Sequence, residues 1–396
     1  MRIAMLGVKA VPTIGGIARY VEEVGARLVE RGHEVTVYCR PHYLNGSRGP
    51  YRGMERVVVR GVRGKHLDTI THTLTSLCDA LPRRFDILHF HGVGPAVFSP
   101  LARWRNGHTI VVTAHGADWD REKWGWAAKS FLRAGTRAAA KWAANWVAVS
   151  HSVADECARV AGSRPEVIPS GVNPTDTPPP QELYGLGLAP RGYLFCAGRL
   201  TPEKGLHYLI EAHQKARTDK RLVIAGSCPH KSRYVDELRR LANDQVLFPG
   251  FVQGRLLQEL FGHAYLYCQP SNLEGLPLSV LEAMSHGTCV LASDIAAHLE
   301  ALDGHGFTFR AGDVDDLAAK LQALLADPAR VQATGLAARE HVCRHRTWDV
   351  TTDHYEALYE NLVSEKRAGL VPDGGGERRS APAAALATGP EAQRGG

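Results

Sequence analysis

Short apolar runs alternate with amphipathic segments along most of the chain. Residues 2–7, 35–39 and 109–113 are apolar runs of strand length. The segment after the first run repeats apolar residues at helical spacing, at Ile17, Val21, Val24 and Leu28. Because strands and helices alternate in this way, the pattern predicts α/β domains with parallel, doubly wound sheets, in which ligands bind beyond the carboxyl ends of the strands.

Two such alternations are separated by residues 173–191, which lack periodicity and contain five prolines. A chain of 396 residues is long enough for two separate cores. We therefore expect a first Rossmann-like domain at 1–172, a linker at 173–191 and a second Rossmann-like domain at 192–346. A final helix is predicted at 347–366, and the low-complexity residues 367–396 are expected to be disordered.

Two carboxylates mark residues 265–294. Glu274 precedes a predicted helix and Glu282 lies inside it, with seven residues between them. Pro277 suits the first helical turn, and apolar neighbours predict that Glu282 is largely buried. A buried carboxylate needs a basic partner or hydroxyl donors, and the helix N-terminus between the two carboxylates favours a phosphate. A nucleoside-diphosphate sugar has this layout of hydroxyls around a phosphate.

Two cations lie five residues apart in GRLTPEKG, at Arg199 and Lys204. Thr201 is predicted to cap a helix that begins at Pro202, so both cations would lie at a helix N-terminus. Such a position favours anions and predicts a diphosphate site. The alternative is a pair of solvated surface charges.

Three further positions are candidates for ligand contact. Gly15 and Gly16 open the first helix, where the backbone can approach a ligand closely, although such a pair can also be only a turn. His115 follows the strand at 109–113 and either holds an acceptor or sugar hydroxyl or caps a loop. Val252 follows a predicted strand at 246–251, in a loop where a nucleobase could stack.

The charge is unevenly distributed. Residues 1–175 carry 24 Lys+Arg against 14 Asp+Glu, or +10, which leaves −4 of the total of +6 for the remainder. The first half is therefore the one expected to meet an anionic partner, and no nucleic-acid partner is expected. The absence of an apolar run of about 20 residues and the eight scattered cysteines predict a cytoplasmic protein without a structural metal.

A predicted long helix ending near Trp142 carries a row of basic side chains at four-residue spacing: Lys129, Arg133, Arg137 and Lys141. Such rows are commonly solvated helix faces. The alternative is contact with an anionic membrane surface or with a phosphate-bearing acceptor.

Taken together and in this order, the glycine pair, TAHG, GRLTPEKG and PSNLEGLPLSVLEAM resemble family 4 glycosyltransferases over residues 1–365. The early residues are most similar to bacterial members that build surface polysaccharides or decorate secondary metabolites. The resemblance implies the GT-B fold, with two facing Rossmann-like domains and a final helix that returns to the first. It also implies a donor site mainly on the second domain, an acceptor site mainly on the first, and retention of anomeric configuration without a catalytic metal.

Roles follow from the resemblance residue by residue. Glu282 would bind the ribose hydroxyls of the donor, and Glu274 a hydroxyl of the transferred sugar. Arg199 and Lys204 would bind the diphosphate and stabilise the charge that it gains as the glycosidic bond breaks. Losing either cation should lower the rate roughly 10²-fold or more.

Gly16 would contact a phosphate oxygen and His115 would lie beside the donor sugar and the acceptor. Pro277 departs from the pattern of many members, which have a free N–H there. The amides of Gly275 and Leu276 are therefore the better candidates for a backbone contact to phosphate or sugar.

The sequence as a whole predicts a retaining glycosyltransferase without a cofactor. It would move a sugar from a nucleoside-diphosphate sugar to a hydroxyl of a glycan, lipid-linked or small-molecule acceptor, in the cytoplasm or peripherally on the inner face of the membrane. Two alternatives remain open: a sugar-nucleotide-binding regulatory protein without catalysis, and a UDP-sugar 2-epimerase of the same fold.

Overall fold

The computed structural model describes residues 1–44, 46, 49–62, 64, 67–104, 108–117, 119, 125–228 and 232–369. Most of the predicted disordered tail therefore lies outside the described residues. None of the helices in the described part of the chain is long and apolar enough to cross a membrane.

Two parallel sheets form the two halves of the molecule. The first consists of β1 Arg2–Leu6, β2 Glu34–Cys39, β3 Glu55–Val58, β4 Ile87–His91, β5 Thr109–Ala114, β6 Asn145–Ala148 and β7 Glu166–Val167, in the order β3-β2-β1-β4-β5-β6-β7. The second consists of β8 Tyr193–Ala197, β9 Arg221–Ala225, β10 Val246–Gly250, β11 Leu266–Gln269, β12 Val290–Ser293 and β13 Phe307–Phe309, in the order β10-β9-β8-β11-β12-β13. Each sheet reverses its strand order beside its first strand, β1 or β8, and ligands bind at such switch points.

Helices cover the sheets. The first half contains α1 Gly16–Glu30, α2 Leu67–Ala80, α3 Ser99–Trp104, α4 Trp126–Trp142 and α5 His151–Ala161. The rest of the chain contains α6 Glu182–Gly185, α7 Leu206–Ala216, α8 Arg233–Leu241, α9 Gly254–Gly262, α10 Leu278–Ser285, α11 Ala296–Leu302, α12 Val314–Leu325, α13 Pro328–His345 and α14 Trp348–Arg367. The predicted alternation of strands and helices is confirmed.

The final helix, α14, returns to the first half of the chain, as predicted. Its Tyr355 is buried and accepts a hydrogen bond from the hydroxyl of Tyr20 on α1 at 2.8 Å. Arg31, which directly follows α1, forms an ion pair with Glu356 of α14 at 2.8 Å. Because Tyr355 and its apolar neighbours belong to the core of the first sheet, α14 is part of that core rather than an appendage.

The second part of the predicted linker is packed structure, which differs from the expectation of an irregular spacer. Helix α6 forms within it, and Leu183 and Leu188 are buried in the core of the second sheet. The buried carboxylate of Glu259 accepts hydrogen bonds from three successive backbone N–H groups, of residues 181–183. A buried charge needs such donors, so the contact fixes the linker against α9. The local sequence of the linker does not indicate this contact, because Glu259 lies far along the chain.

Candidate active site at the carboxyl ends of the two sheets

The second sheet brings the predicted cation and carboxylate segments together. Strands β8 and β11 are neighbours, so the segments that leave their carboxyl ends lie side by side. The Nζ atom of Lys204 lies 2.5 Å from Oε1 of Glu274, and both side chains are nearly buried, at 13% and 12% exposed. The two predicted clusters therefore form one site.

One carboxylate oxygen of Glu274 accepts hydrogen bonds from several side chains. Besides Lys204, the hydroxyl of Ser271 donates at 2.7 Å and the amide of Gln269 at 3.1 Å to the same Oε1 atom. Burial alone would raise the pKa of this carboxyl, but the charge of Lys204 and these hydrogen bonds lower it below its usual value. Glu274 is thus ionised at neutral pH, and none of these donors occupies its Oε2 atom.

The predicted helix cap at Thr201 is wrong. Residues Pro202–Lys204 form a 3-10 turn, and α7 begins only at Leu206 after Gly205, whose φ is 62°. The left-handed backbone of Gly205 interrupts the helix, and glycine is required there because a side chain would collide with the carbonyl oxygen of Pro270. Thr201 makes no capping hydrogen bond, and its buried hydroxyl has no partner among the described residues.

Arg199 remains available at the mouth of this turn. Its side chain is half exposed, and its nearest carboxylate, Glu203, lies 3.6 Å away. On the facing side, burial and the positive charges of Arg40 and Arg199 lower the pKa of Lys9. The first half of the chain therefore adds a cation near Arg199 that the sequence analysis did not single out.

Glu282 is half-buried on α10 and accepts no side-chain hydrogen bond from the described residues. Burial raises its pKa to about 7, and the charge of Arg19 on α1 opposes this shift. Pro277 is the residue before α10 rather than inside its first turn. Glu282 is therefore a carboxyl without the basic partner that a structural role would require.

The loops of the first sheet close over this site. A side chain at Gly275 would collide with the carbonyl oxygen of His115, and the hydroxyl of Ser150 donates to the carbonyl of Gly275 at 2.9 Å. Gly16, at the start of α1, faces Leu278. A small pocket at this contact is lined by Gly116, Ala117, Arg199, Glu203, Lys204, Leu273, Glu274 and Gly275. The structure thus unites residues from both sheets in one cleft.

The glycine pair has the predicted form. Gly15 precedes α1 with a φ of 140°, a conformation that side chains rarely adopt, and α1 begins at Gly16. Among the described residues, no hydrogen bond engages the N–H of Gly275 or Leu276. Both amides are therefore free to donate to a ligand.

His115 is held by a group of aromatic residues that sequence reasoning missed. Its Nε2 atom lies 3.3 Å from Nδ1 of His91, and its ring packs edge-on against Tyr20 at 4.8 Å between centroids. Burial lowers the pKa of His115 to about 3, so the ring is neutral at physiological pH. A neutral ring carries a single N–H, so in this contact one of the two facing nitrogens of His91 and His115 donates to the other.

Val252 lies apart from these groups. It follows β10, two strands from β8, and is half-buried against the core of the second sheet. Its predicted contact with a nucleobase stays a prediction.

Comparisons with known families cover both halves of the chain. Residues 14–176 match the family described as Glycosyltransferase Family 4, and residues 189–341 match the family described as Glycosyl transferases group 1.

Two curated relatives span nearly the whole chain. A GDP-mannose-dependent alpha-(1-6)-phosphatidylinositol monomannoside mannosyltransferase of Mycolicibacterium smegmatis is 31% identical over 371 residues, covering 85% of this chain and 92% of the relative. An alpha-maltose-1-phosphate synthase of Mycobacterium tuberculosis is 29% identical over 399 residues, covering 92% of this chain and 100% of the relative.

Solved structures share the architecture. Sucrose-phosphate synthase from Thermosynechococcus elongatus superposes with a TM-score of 0.81 at 21% identity, covering 92% of this chain and 99% of that one. The Anabaena protein HepE, solved in complex with UDP and glucose, superposes with a TM-score of 0.78 at 18% identity, covering 91% and 100%. At these identities the likeness concerns the fold. With the family matches and the first relative, it establishes that the chain is a GT-B protein that belongs to glycosyltransferase family 4.

Proposed function

We propose that this glycosyltransferase transfers a sugar, with retention of anomeric configuration, from a nucleoside-diphosphate sugar to a hydroxyl of a glycan, lipid-linked or small-molecule acceptor. The observation that carries the proposal is the pairing of unlike carboxyls beside two cations. Glu274 is ionised and engaged by Lys204, whereas Glu282 is half-buried without a partner. A ligand with hydroxyls at both ends and a diphosphate between them would donate hydrogen bonds to both carboxyls and place negative charge against both cations.

In this proposal the diphosphate lies against Arg199 and Lys204. Since charge accumulates on the leaving diphosphate as the glycosidic bond breaks, these cations stabilise the transition state more than the ground state. Glu274 already neutralises much of the charge of Lys204. Arg199, loosely paired and half exposed, therefore supplies much of the net positive charge on the second sheet's side.

Glu274 and Glu282 act as anchors rather than as acid and base. The Oε2 atom of Glu274 is free of these donors and would accept a hydrogen bond from a hydroxyl of the transferred sugar. Glu282 would accept from the ribose hydroxyls, which removes the cost of its unpartnered carboxyl. Neutral His115 would face the sugar and the incoming acceptor, whose proton a diphosphate oxygen can take.

The names of the relatives support a sugar-nucleotide donor but do not agree on the base. The mycobacterial mannosyltransferase is named for GDP-mannose, and the Anabaena structure was solved with UDP and glucose. The proposal therefore leaves base and sugar open. No cofactor is included, and we expect activity to survive treatment with a metal chelator.

A thermal-shift panel of UDP-, GDP- and dTDP-sugars identifies the donor, after which release of the nucleoside diphosphate measures turnover. We expect Lys204→Ala and Glu282→Ala to abolish release. Lys215→Ala and Glu340→Ala, which remove exposed charges outside the site, are the matched controls.

Activity unchanged by both site substitutions would refute the site assignment. Nucleotide binding without turnover on any acceptor would instead indicate a regulatory protein, and interconversion of the donor sugar without an acceptor would indicate an epimerase. NMR of the product decides between retention and inversion.

A further inference from the structure

A second cavity lies on the flank of the first half of the chain. It occupies about 440 Å³ between α4 and α5 and is lined by Trp119, Arg133, Arg137, Glu156, Arg159 and Val160. The volume lies within the range of small-molecule sites, roughly 300–1,000 Å³. None of these residues belongs to the donor site described above.

Among the described residues that line the cavity, positive charges outnumber negative ones. Arg159 is paired with Glu156 at 2.6 Å, which uses the one carboxylate among the described lining residues. Arg133 and Arg137 are exposed and form no ion pair or hydrogen bond with any described residue. One turn apart on α4, these like charges repel each other by roughly 0.2–0.5 kcal/mol, so a bound anion would relieve the repulsion.

Only two of the four basic side chains in the predicted row line the cavity. Arg133 and Arg137 line the cavity, whereas Lys129 and Lys141 do not, and Lys141 lies over the ring of Trp142 at 5.1 Å. The convergence of two arginines from α4 with Arg159 from α5 thus makes a discrete site rather than a uniformly charged helix face.

We propose that this cavity binds a phosphate ester group. Arginine is suited to this task, because its planar guanidinium presents paired N–H donors that match phosphate oxygens, and three such groups surround one space. The space exceeds what a bare phosphate fills, and Trp119 and Val160 supply apolar wall for the group that carries the phosphate.

The cavity and the active site share a short segment of the chain, which limits the distance between them. Trp119 lies only four residues after His115, so their Cα atoms are at most roughly 14 Å apart. An extended acceptor can therefore place a hydroxyl at His115 and a phosphate against the three arginines. This step rests on the proposed function, and it narrows the acceptor to a phosphate-bearing molecule.

Phosphorus NMR titration of inorganic phosphate against the full chain tests the site directly. We expect the double substitution Arg133→Ser/Arg137→Ser to raise the Kd for phosphate at least tenfold. The control Lys129→Ser/Lys141→Ser removes the same charge from the same helix outside the cavity, and we expect a change below twofold. Equal losses in both double variants, or no phosphate binding by the wild-type chain, would overturn the proposal.

Two further measurements separate this site from the donor site and identify the source of the phosphate. Lys204→Ala should leave the Kd for phosphate unchanged, and Arg133→Ser/Arg137→Ser should leave the thermal shift with sugar nucleotides unchanged. Failure of the phosphate site can therefore be told apart from failure of the donor site. Phosphatidylglycerol vesicles that bind the wild type and are displaced by phosphate would indicate a lipid headgroup. Phosphate binding without vesicle binding would indicate a water-soluble phosphate ester, and vesicle binding that ignores the arginine substitutions would contradict the site.

Discussion

Removing the charge of Lys204 should make the stability of the protein depend on pH in a new way. The substitution Lys204→Met keeps the length of the side chain but leaves Glu274 nearly buried without its cation. In the wild type, burial raises the pKa of Glu274 and the charge of Lys204 more than offsets that effect. The variant loses both the charge and the hydrogen bond of Lys204, so burial is opposed by the effect of His298, which is weaker than that of Lys204, and by the hydrogen bond from Ser271. We therefore expect the pKa to rise above the value of about 4.3 of the unfolded chain.

The sign of the effect follows from proton linkage. With its depressed pKa, wild-type Glu274 contributes stability that is present above the unfolded pKa and is lost as the pH falls through the folded one. In the variant the folded pKa is the higher one, which reverses the sign. As the pH rises from the unfolded pKa to the folded pKa, the free energy of unfolding falls by about 1.4 kcal/mol per pH unit. Removal of one partner of a nearly buried ion pair typically lowers the free energy of unfolding by about 3 kcal/mol. We expect that difference between the wild type and Lys204→Met at pH 7.5.

Urea unfolding of the wild type, Lys204→Met, Glu274→Gln and the double variant measures this, at pH 4.5 and at pH 7.5. We expect the loss of unfolding free energy caused by Lys204→Met to be smaller at pH 4.5 than at pH 7.5, because protonation of Glu274 in the variant relieves its unpaired charge at the lower pH. Glu274→Gln in the same chain should remove most of that pH dependence, because no carboxyl remains to be charged. An equal cost at both pH values, or pH dependence that persists in the double variant, would refute the reasoning.

Three other outcomes follow from single contacts. The carboxylate of Glu300 on α11 accepts hydrogen bonds from the N–H groups of His151 and Ser152 at the start of α5, at 2.7 and 3.1 Å. Glu300→Gln should weaken this contact between the two halves by about 1 kcal/mol and raise the KM for the donor about fivefold, and an unchanged KM would contradict this. Because ribose hydroxyls need an ionised Glu282, whose pKa is about 7, nucleotide affinity measured by calorimetry should rise roughly tenfold from pH 6 to pH 8 and lose this dependence in Glu282→Gln. Gly275→Ala should abolish turnover without unfolding the protein, since the new methyl meets the carbonyl of His115, whereas Gly185→Ala, with open space around it, should be silent in the same assay.

Local patterns carried much of the prediction. The alternation of apolar runs and helical periods identified the α/β class, because each strand and helix must bury one surface wherever it packs. Arg199 and Lys204, like Glu274 and Glu282, stand within one short segment each. Their spacing at a strand end therefore limits where they can lie, before any tertiary contact is known.

Other predictions failed where a distant residue controls local structure. Thr201 follows every local rule for a helix cap, yet α7 begins only at Leu206, after a left-handed Gly205 that packs closely against the carbonyl of Pro270. The proline-rich segment looked like a spacer because its anchor, Glu259, lies about eighty residues further along the chain. Neither outcome can be read from a window of neighbouring residues.

The sequence by itself determined which elements form and which charged side chains stand at strand ends, since both depend on periodicity and spacing along the chain. Only the tertiary structure decided which of those side chains meet. Lys204 and Glu274 are 70 residues apart and pair because β8 and β11 are neighbours in the sheet. Likewise Arg159 joins Arg133 and Arg137 only because α4 packs against α5. Partner choice depends on how strands and helices are ordered in space, and that order is a property of the whole fold.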